Sequence, residues 1–225
     1  MMESSRRGFI VGAAVAGAAL GTCKEVSTQE EDVAPPEDLM REHGVLNRIL
    51  LIYDEGVRRL EARETLPLDA LAKSADIIRR FIEEYHEKLE EDFLFPRFEK
   101  ANKLVDLVAT LRRQHAAGRS LTDAITHYVA SVAGKLDDDR RKLAEALRSF
   151  AHMYRPHEAR EDTVLFPALR AIVGKNEFRE LGEQFEKKEH QLFGKEGFEG
   201  IVEQVAKLEQ SFGLYDLNQF TPAAG

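Results

Sequence analysis

The stretch His86-Glu87-Lys88-Leu89-Glu90-Glu91-Asp92-Phe93-Leu94-Phe95-Pro96 returns further along the chain as His157-Glu158-Ala159-Arg160-Glu161-Asp162-Thr163-Val164-Leu165-Phe166-Pro167. His, Glu, Glu, Leu, Phe and Pro coincide without a gap. A single histidine precedes each copy by almost the same interval: His43 before His86, and His115 before His157. The sequence therefore reads as two helical hairpins of one design. Each offers one His from its first helix and a His-x3-Glu pair from its second. Residues four apart on a helix lie one above the other, with Cβ atoms about 5–6 Å apart. His86 and Glu90 can thus aim at one point, as can His157 and Glu161.

Working outward, the apolar residues from Pro36 onward recur at three and four. Leu39, His43, Leu46, Leu50, Tyr53, Val57 and Leu60 predict a helix over about 36–63. Leu71, Ala75, Ile78, Ile82, His86, Leu89 and Phe93 predict a second over 68–93. Leu104, Val108, Leu111, His115, Thr122, Ile125 and Val129 predict a third over 103–133. Leu143, Leu147, Phe150, Tyr154, His157, Glu161 and Val164 predict a fourth over 138–165. Phe178, Leu181, Phe185 and Leu192 suggest a fifth helix, and Phe198, Ile201, Val205 and Leu208 a sixth. No strand-like alternation appears. The expected fold is all-α: an antiparallel up-down four-helix bundle with extra C-terminal helices. Pro96 and Pro167 are expected to stop or kink their helices, and Pro156 to kink the fourth. The Leu-Phe-Pro repeats read as helix-end packing.

All four histidines and both glutamates extend the apolar stripes, so they face the bundle axis. Burying a bare carboxylate in an apolar core costs several kcal/mol, on the order of the transfer penalty of a charged group, unless something compensates. Two such glutamates among four histidines call for a cation. Two metals bridged by two carboxylates is the economical solution. The alternative is a metal-free bundle with His–Glu hydrogen bonds in its core.

Composition narrows the chemistry further. The chain has 225 residues, net charge −8, seven histidines and one cysteine. The acidic balance argues against a nucleic-acid surface, which needs clustered Lys and Arg. A single cysteine excludes a disulfide framework, a thiolate zinc site and a cysteine-ligated Fe–S cluster. Metal chemistry must run on His and carboxylates.

The N-terminus reads as an address. Ser5-Arg6-Arg7-Gly8-Phe9-Ile10 leads into a small-residue apolar run ending at Leu20. That run is shorter than the roughly 20 residues of a spanning helix. It resembles a twin-arginine-type signal peptide over 1–23, implying export to the periplasm or cell envelope. Leu20-Gly21-Thr22-Cys23 is a weak lipobox. Cys23 is thus a candidate lipid anchor, with ordinary signal cleavage as the alternative. Residues 24–36 read as a flexible acidic linker, 37–193 as the bundle with its fifth helix, and 194–225 as a helical extension and tail.

The order His43, His86-x3-Glu90, His115, His157-x3-Glu161 resembles the hemerythrin-like, or HHE cation-binding, family over about residues 36–193. The resemblance implies a four-helix bundle holding two non-haem Fe ions bridged by an oxo or hydroxo group and two carboxylates. Carried over by position, His43, His86, His115 and His157 would be terminal ligands, and Glu90 and Glu161 would bridge. Family members bind O2, sense oxygen or iron, handle peroxide or nitric oxide, or serve Fe–S cluster repair.

This chain departs from the oxygen carriers of that family. Their third helix has His-x3-His, whereas Arg119 follows His115 here and Leu111 precedes it. Their fourth has His-x4-Asp, an option that Asp162 keeps open beside Glu161. Two octahedral irons offer about twelve positions, and this set leaves one more unfilled than a five-histidine set. Tyr154 lies on the ligand face as an added ligand, a hydrogen-bond donor to one, or a core tyrosine. Glu87 and Glu158 rotate about 100° away from the motif histidines and read as solvated or outer residues. His190 is a weaker ligand candidate, and His127 and His152 read as structural or exposed. The expected function is binding or reaction with O2, peroxide or NO at an exported di-iron centre. The alternatives are an iron or oxygen sensor or storage module, or a metal-free interaction domain. A ferritin-like set needs Glu-x-x-His on two helices, and only Glu83-x-x-His86 is present. A zinc hydrolase motif is absent.

Overall fold

The computed structural model describes residues 34–132 and 137–222, and the described residues are helical with no strand. The signal peptide and most of the proposed linker lie outside them. α1 spans Pro35–Glu61. It starts inside the expected linker, because the prolines fit a first helical turn whose N–H groups are unpaired anyway. The Glu37 carboxylate accepts from the Ala34 N–H at 3.2 Å, and Glu37 and Asp38 complement the positive end of the helix.

α2 is one helical run over 68–100 with changing pitch. Leu68–Ile77 is α-helical, Ile78–His86 is π-helical, Glu87–Leu89 is α, Glu90–Leu94 is π, and Phe95–Lys100 is α. α3 spans Val105–Val132. α4 covers 137–169: Asp137–Arg160 as α-helix, Glu161–Leu165 as π, Phe166–Leu169 as α. α5 is Lys175–Phe193 and α6 is Gly197–Phe212. A 3-10 turn, Leu217–Phe220, follows.

The prolines correct the expected helix ends. α2 runs through Pro96 to Lys100, and α4 through Pro167 to Leu169. Each proline follows a π segment, where wider turns leave room for the ring and re-route the carbonyl it cannot serve. In α2 the freed region is met by side chains: Arg112 reaches the Glu91 carbonyl at 3.5 Å, and Arg97 the Phe93 carbonyl at 2.5 Å. Pro156 sits inside the α-helical part of α4, which continues to Arg160.

α1 packs against α2 and α4, and α3 packs against α2 and α4. α6 lies on α1 and α2, and α5 joins it against α1. Between the four long helices sits a core that includes Leu46, Ile49, Tyr53, Leu71, Phe81, Leu111, Leu147 and Phe150, each at 0–1 % exposure. Each such side chain contributes about 1.5–3 kcal/mol relative to an exposed one. This apolar wall holds the polar cluster dry. No helix among the described residues is long and apolar enough to cross a membrane.

Candidate metal centre

Six of the residues singled out from the sequence meet in this core. His43 comes from α1, His86 and Glu90 from α2, His115 from α3, and His157 and Glu161 from α4. None is more than 4 % exposed. The imidazoles form two pairs. His43 and His86 have ring centroids 4.7 Å apart, and His115 and His157 5.0 Å apart. Each glutamate reaches across the pairs. Glu90 approaches His86 Nε2 at 3.9 Å and His115 Nε2 at 3.4 Å. Glu161 approaches His43 Nε2 at 3.4 Å and His157 Nε2 at 3.1 Å. One donor group comprises Glu90, His115, His157 and Glu161; another comprises His43, His86 and Glu90. Within each, the donor atoms lie within 4.8 Å of one another.

The outer nitrogens fix the tautomers. His86 Nδ1–H donates to Glu42 at 2.8 Å, and His43 Nδ1–H to Asp162 at 2.7 Å. His115 Nδ1–H donates to Glu91 at 3.1 Å, and His157 Nδ1–H to the Gln114 carbonyl oxygen at 2.9 Å. Ionised carboxylates and amide oxygens only accept, so each ring keeps its proton on Nδ1 and turns the Nε2 lone pair inward. Both oxygens of Glu90 and of Glu161, and Nε2 of His115, are buried without a hydrogen bond. Acceptors facing acceptors in a dry core cost free energy unless a cation or protons lie between them. The proton-bound alternative shows the same demand. Burial opposes it, but the hydrogen bond to Asp162 and the nearby Glu161 carboxylate raise the His43 pKa to about 10. Burial, then repulsion from Glu161, pushes Glu90 well above the carboxylate range. Imidazole and carboxylate donors in this number fit a divalent or trivalent transition-metal ion, and metal uptake would release these protons.

The repeat extends further than the quoted motifs. The residue before each single histidine, Glu42 or Gln114, accepts from the second histidine of its own hairpin. The residue after each central glutamate, Glu91 or Asp162, accepts from the single histidine of the other hairpin. The phenylalanines of the Leu-Phe-Pro repeats follow the same rule. Phe166 stacks on His43 and Phe95 on His115, both at 5.5 Å. They pack on the faces of His43 and His115 and so do more than pack helix ends. Four residues after each single histidine, Asn47 donates to Glu158 at 2.8 Å and Arg119 to Glu87 at 2.7 Å. Glu42, Gln114 and Glu91 are not among the residues singled out from the sequence; the signal for the first two is the alignment of Glu42-His43-x3-Asn47 with Gln114-His115-x3-Arg119, and for Glu91 its alignment with Asp162.

The remaining candidates fall outside the inner group. The Tyr154 hydroxyl donates to Glu87 at 2.6 Å, which commits it away from the histidines. Gly118 makes this placement fit, because a Cβ there would overlap the Tyr154 hydroxyl. Asp162 orients His43 through its outer nitrogen. Glu87 and Glu158 are buried, not solvated. Burial raises Glu87 to about 8 against the hydrogen bond from Tyr154, and Glu158 to about 7 against the field of His43. His190 is exposed on α5 beside Glu183, Glu186 and Lys187, and joins no donor group. His127 and His152 are exposed.

Residues 34–137 match the family described as the hemerythrin HHE cation binding domain. Uncharacterized proteins of Mycobacterium bovis and Mycobacterium tuberculosis are 53% identical over 195 residues, covering 87% of this chain and 76% of each relative. The similarity to the hemerythrin HHE cation binding domain thus lies on residues 34–137. The matched region takes in α1 to α3. His157 and Glu161 of α4 lie beyond it and enter through the internal repeat and the geometry. No solved structure matches the chain.

Proposed function

We propose that this protein is a hemerythrin-like di-iron protein built on an up-down four-helix bundle, and that its centre binds or reacts with O2, peroxide or NO. The observation that carries the reading is the pair of buried glutamates, each touching one histidine of either pair and none of their oxygens hydrogen-bonded. His43 and His86 would hold one ion and His115 and His157 the other, with Glu90 and Glu161 shared. When bound, two irons supply one-electron redox steps and sites for a small exogenous ligand.

The protein's own groups do the rest. Asp162, Glu42, Glu91 and Gln114 orient the imidazoles. Phe95, Phe166 and the apolar wall exclude bulk water. Arg119 is turned to Glu87 and Glu91, and Tyr154 to Glu87, so neither supplies a further donor. A donor set smaller than that of the five-histidine carriers favours ligand reaction over simple carriage. Export through a twin-arginine-type leader and a periplasmic or cell-envelope location belong to the same reading. They rest on the arginine pair and the apolar run before Cys23.

Elemental analysis and the near-ultraviolet spectrum of protein purified from iron-replete cells test the centre. Two irons per chain with a diferric spectrum are expected, and protein free of iron would sink it. Reactivity is tested by adding peroxide or NO to the loaded protein. A stable, reversible O2 adduct without peroxide turnover would reduce the function to carriage.

A further inference from the structure

The two outer layers correspond position by position, and two of the places where they differ in charge lie on the helices that carry the single histidines. Glu42, the acceptor for His86, has Gln114 as its counterpart, the acceptor for His157. Asn47 has Arg119 as its counterpart. Each change moves the local charge in the positive direction. Both fall on the same pair of histidines. Gln114 gives His157 a neutral amide where the other three histidines have carboxylates. Arg119 donates at 2.7 Å to Glu91 Oε1, the same oxygen that receives the His115 Nδ1–H at 3.1 Å. Lys88 pairs with the other oxygen of Glu91. The Asp162 oxygen that serves His43 receives no Arg or Lys hydrogen bond among the described residues.

A carboxylate behind a histidine raises its basicity as a ligand, and losing such a partner typically costs about 10–100-fold in metal affinity. An amide behind His157 and a twice-compensated carboxylate behind His115 weaken both imidazoles of one pair. We propose that the His115/His157 half of the centre holds its cation more weakly than the His43/His86 half and is the half that exchanges. The inference rests on the metal-binding reading above and adds an order to it: the His43/His86 half fills first and empties last.

The test is anaerobic titration of the metal-free full chain with ferrous ion against a competing chelator. Two equivalents separated by at least about tenfold in affinity are expected. His115→Ala should lose the weaker equivalent and keep the tighter one, whereas His43→Ala should lose the tighter one. Gln114→Glu should narrow the gap about tenfold, with circular dichroism and thermal unfolding confirming its fold. Equal affinities in the unaltered chain overturn the inference. So does survival of the tight equivalent in His43→Ala, or an unchanged gap in a folded Gln114→Glu protein. The unaltered chain and the histidine variants decide the matter if Gln114→Glu does not fold. Absence of any ferrous binding by the unaltered chain instead removes the metal-binding reading itself.

Discussion

The α1–α2 hairpin and the α3–α4 hairpin present the same inner atoms in the same order and surround them differently. Behind the first stand Glu42 and Asn47; behind the second, Gln114 and Arg119. Three residues after the single histidine, the first hairpin has Leu46 and the second Gly118. Three residues before the motif histidine, it has Glu83 where the second has Tyr154. The small residue in α3 admits the large one from α4. A repeat thus preserves the donors that must converge and varies what tunes and packs around them.

The sharpest way to break this comparison is Glu90→Ala. Glu90 touches histidines of both pairs, so its loss should strip nearly all bound metal, read by elemental analysis. A protein that kept one full equivalent would show that the two halves do not share it. Next come the crossed acceptors. Asp162→Ala should weaken metal binding by about 10–100-fold in competition titrations. Glu91→Ala should cost less, because Arg119 and Lys88 already compensate that carboxylate. Equal losses would erase the asymmetry between the halves.

Gly118→Ala should destabilise the protein by about 1–3 kcal/mol in chemical denaturation, as overpacking against the Tyr154 hydroxyl. A second change, Tyr154→Phe, should recover part of that loss. The smallest effect lies at the far end of α1, in the network of Glu55, Arg58, Arg59 and Glu64. Glu55 is hydrogen-bonded by Arg58; burial opposes this, and Arg59 adds to it, so its pKa falls to about 2. A depressed pKa contributes stability above the unfolded value of 4.5 that is lost as pH falls toward 2. Glu55→Gln should therefore flatten the acid limb of the unfolding profile below pH 4.5 slightly, and leave metal binding unchanged.

The inner donors were legible because they interrupt apolar stripes, and a charged residue on a buried face needs a reason. The outer acceptors were not. Glu42 and Gln114 sit one position before a histidine and look solvent-facing on a helical wheel, until a neighbouring helix covers them. The π segments leave a signal in the sequence. Ile78, Ile82, His86, Glu90, Leu94 and Phe98 are spaced by four throughout. An α-helix drifts about 40° with each such step and would carry the last of them to the opposite face. A wider π turn cancels that drift, so the spacing itself records the pitch. The same spacing from His157 through Glu161 and Leu165 to Leu169 accompanies the π segment of α4. The prolines misled for a related reason: Pro96 and Pro167 break an α-helix, but here they follow turns already opened.

The crossed partners have one more consequence. Glu91 and Phe95 of one hairpin steady His115 of the other, and Asp162 and Phe166 return the arrangement to His43. This is the self-complementary pattern of a two-fold dimer, with the cluster on the axis. A single hairpin holds three of the six donors, with the carboxylate behind its first histidine supplied from outside. Severed between α2 and α3, the halves would be two incomplete monomers. Only their reassociation would rebuild the site, so the same contacts that aim the imidazoles also act as a checkpoint on assembly.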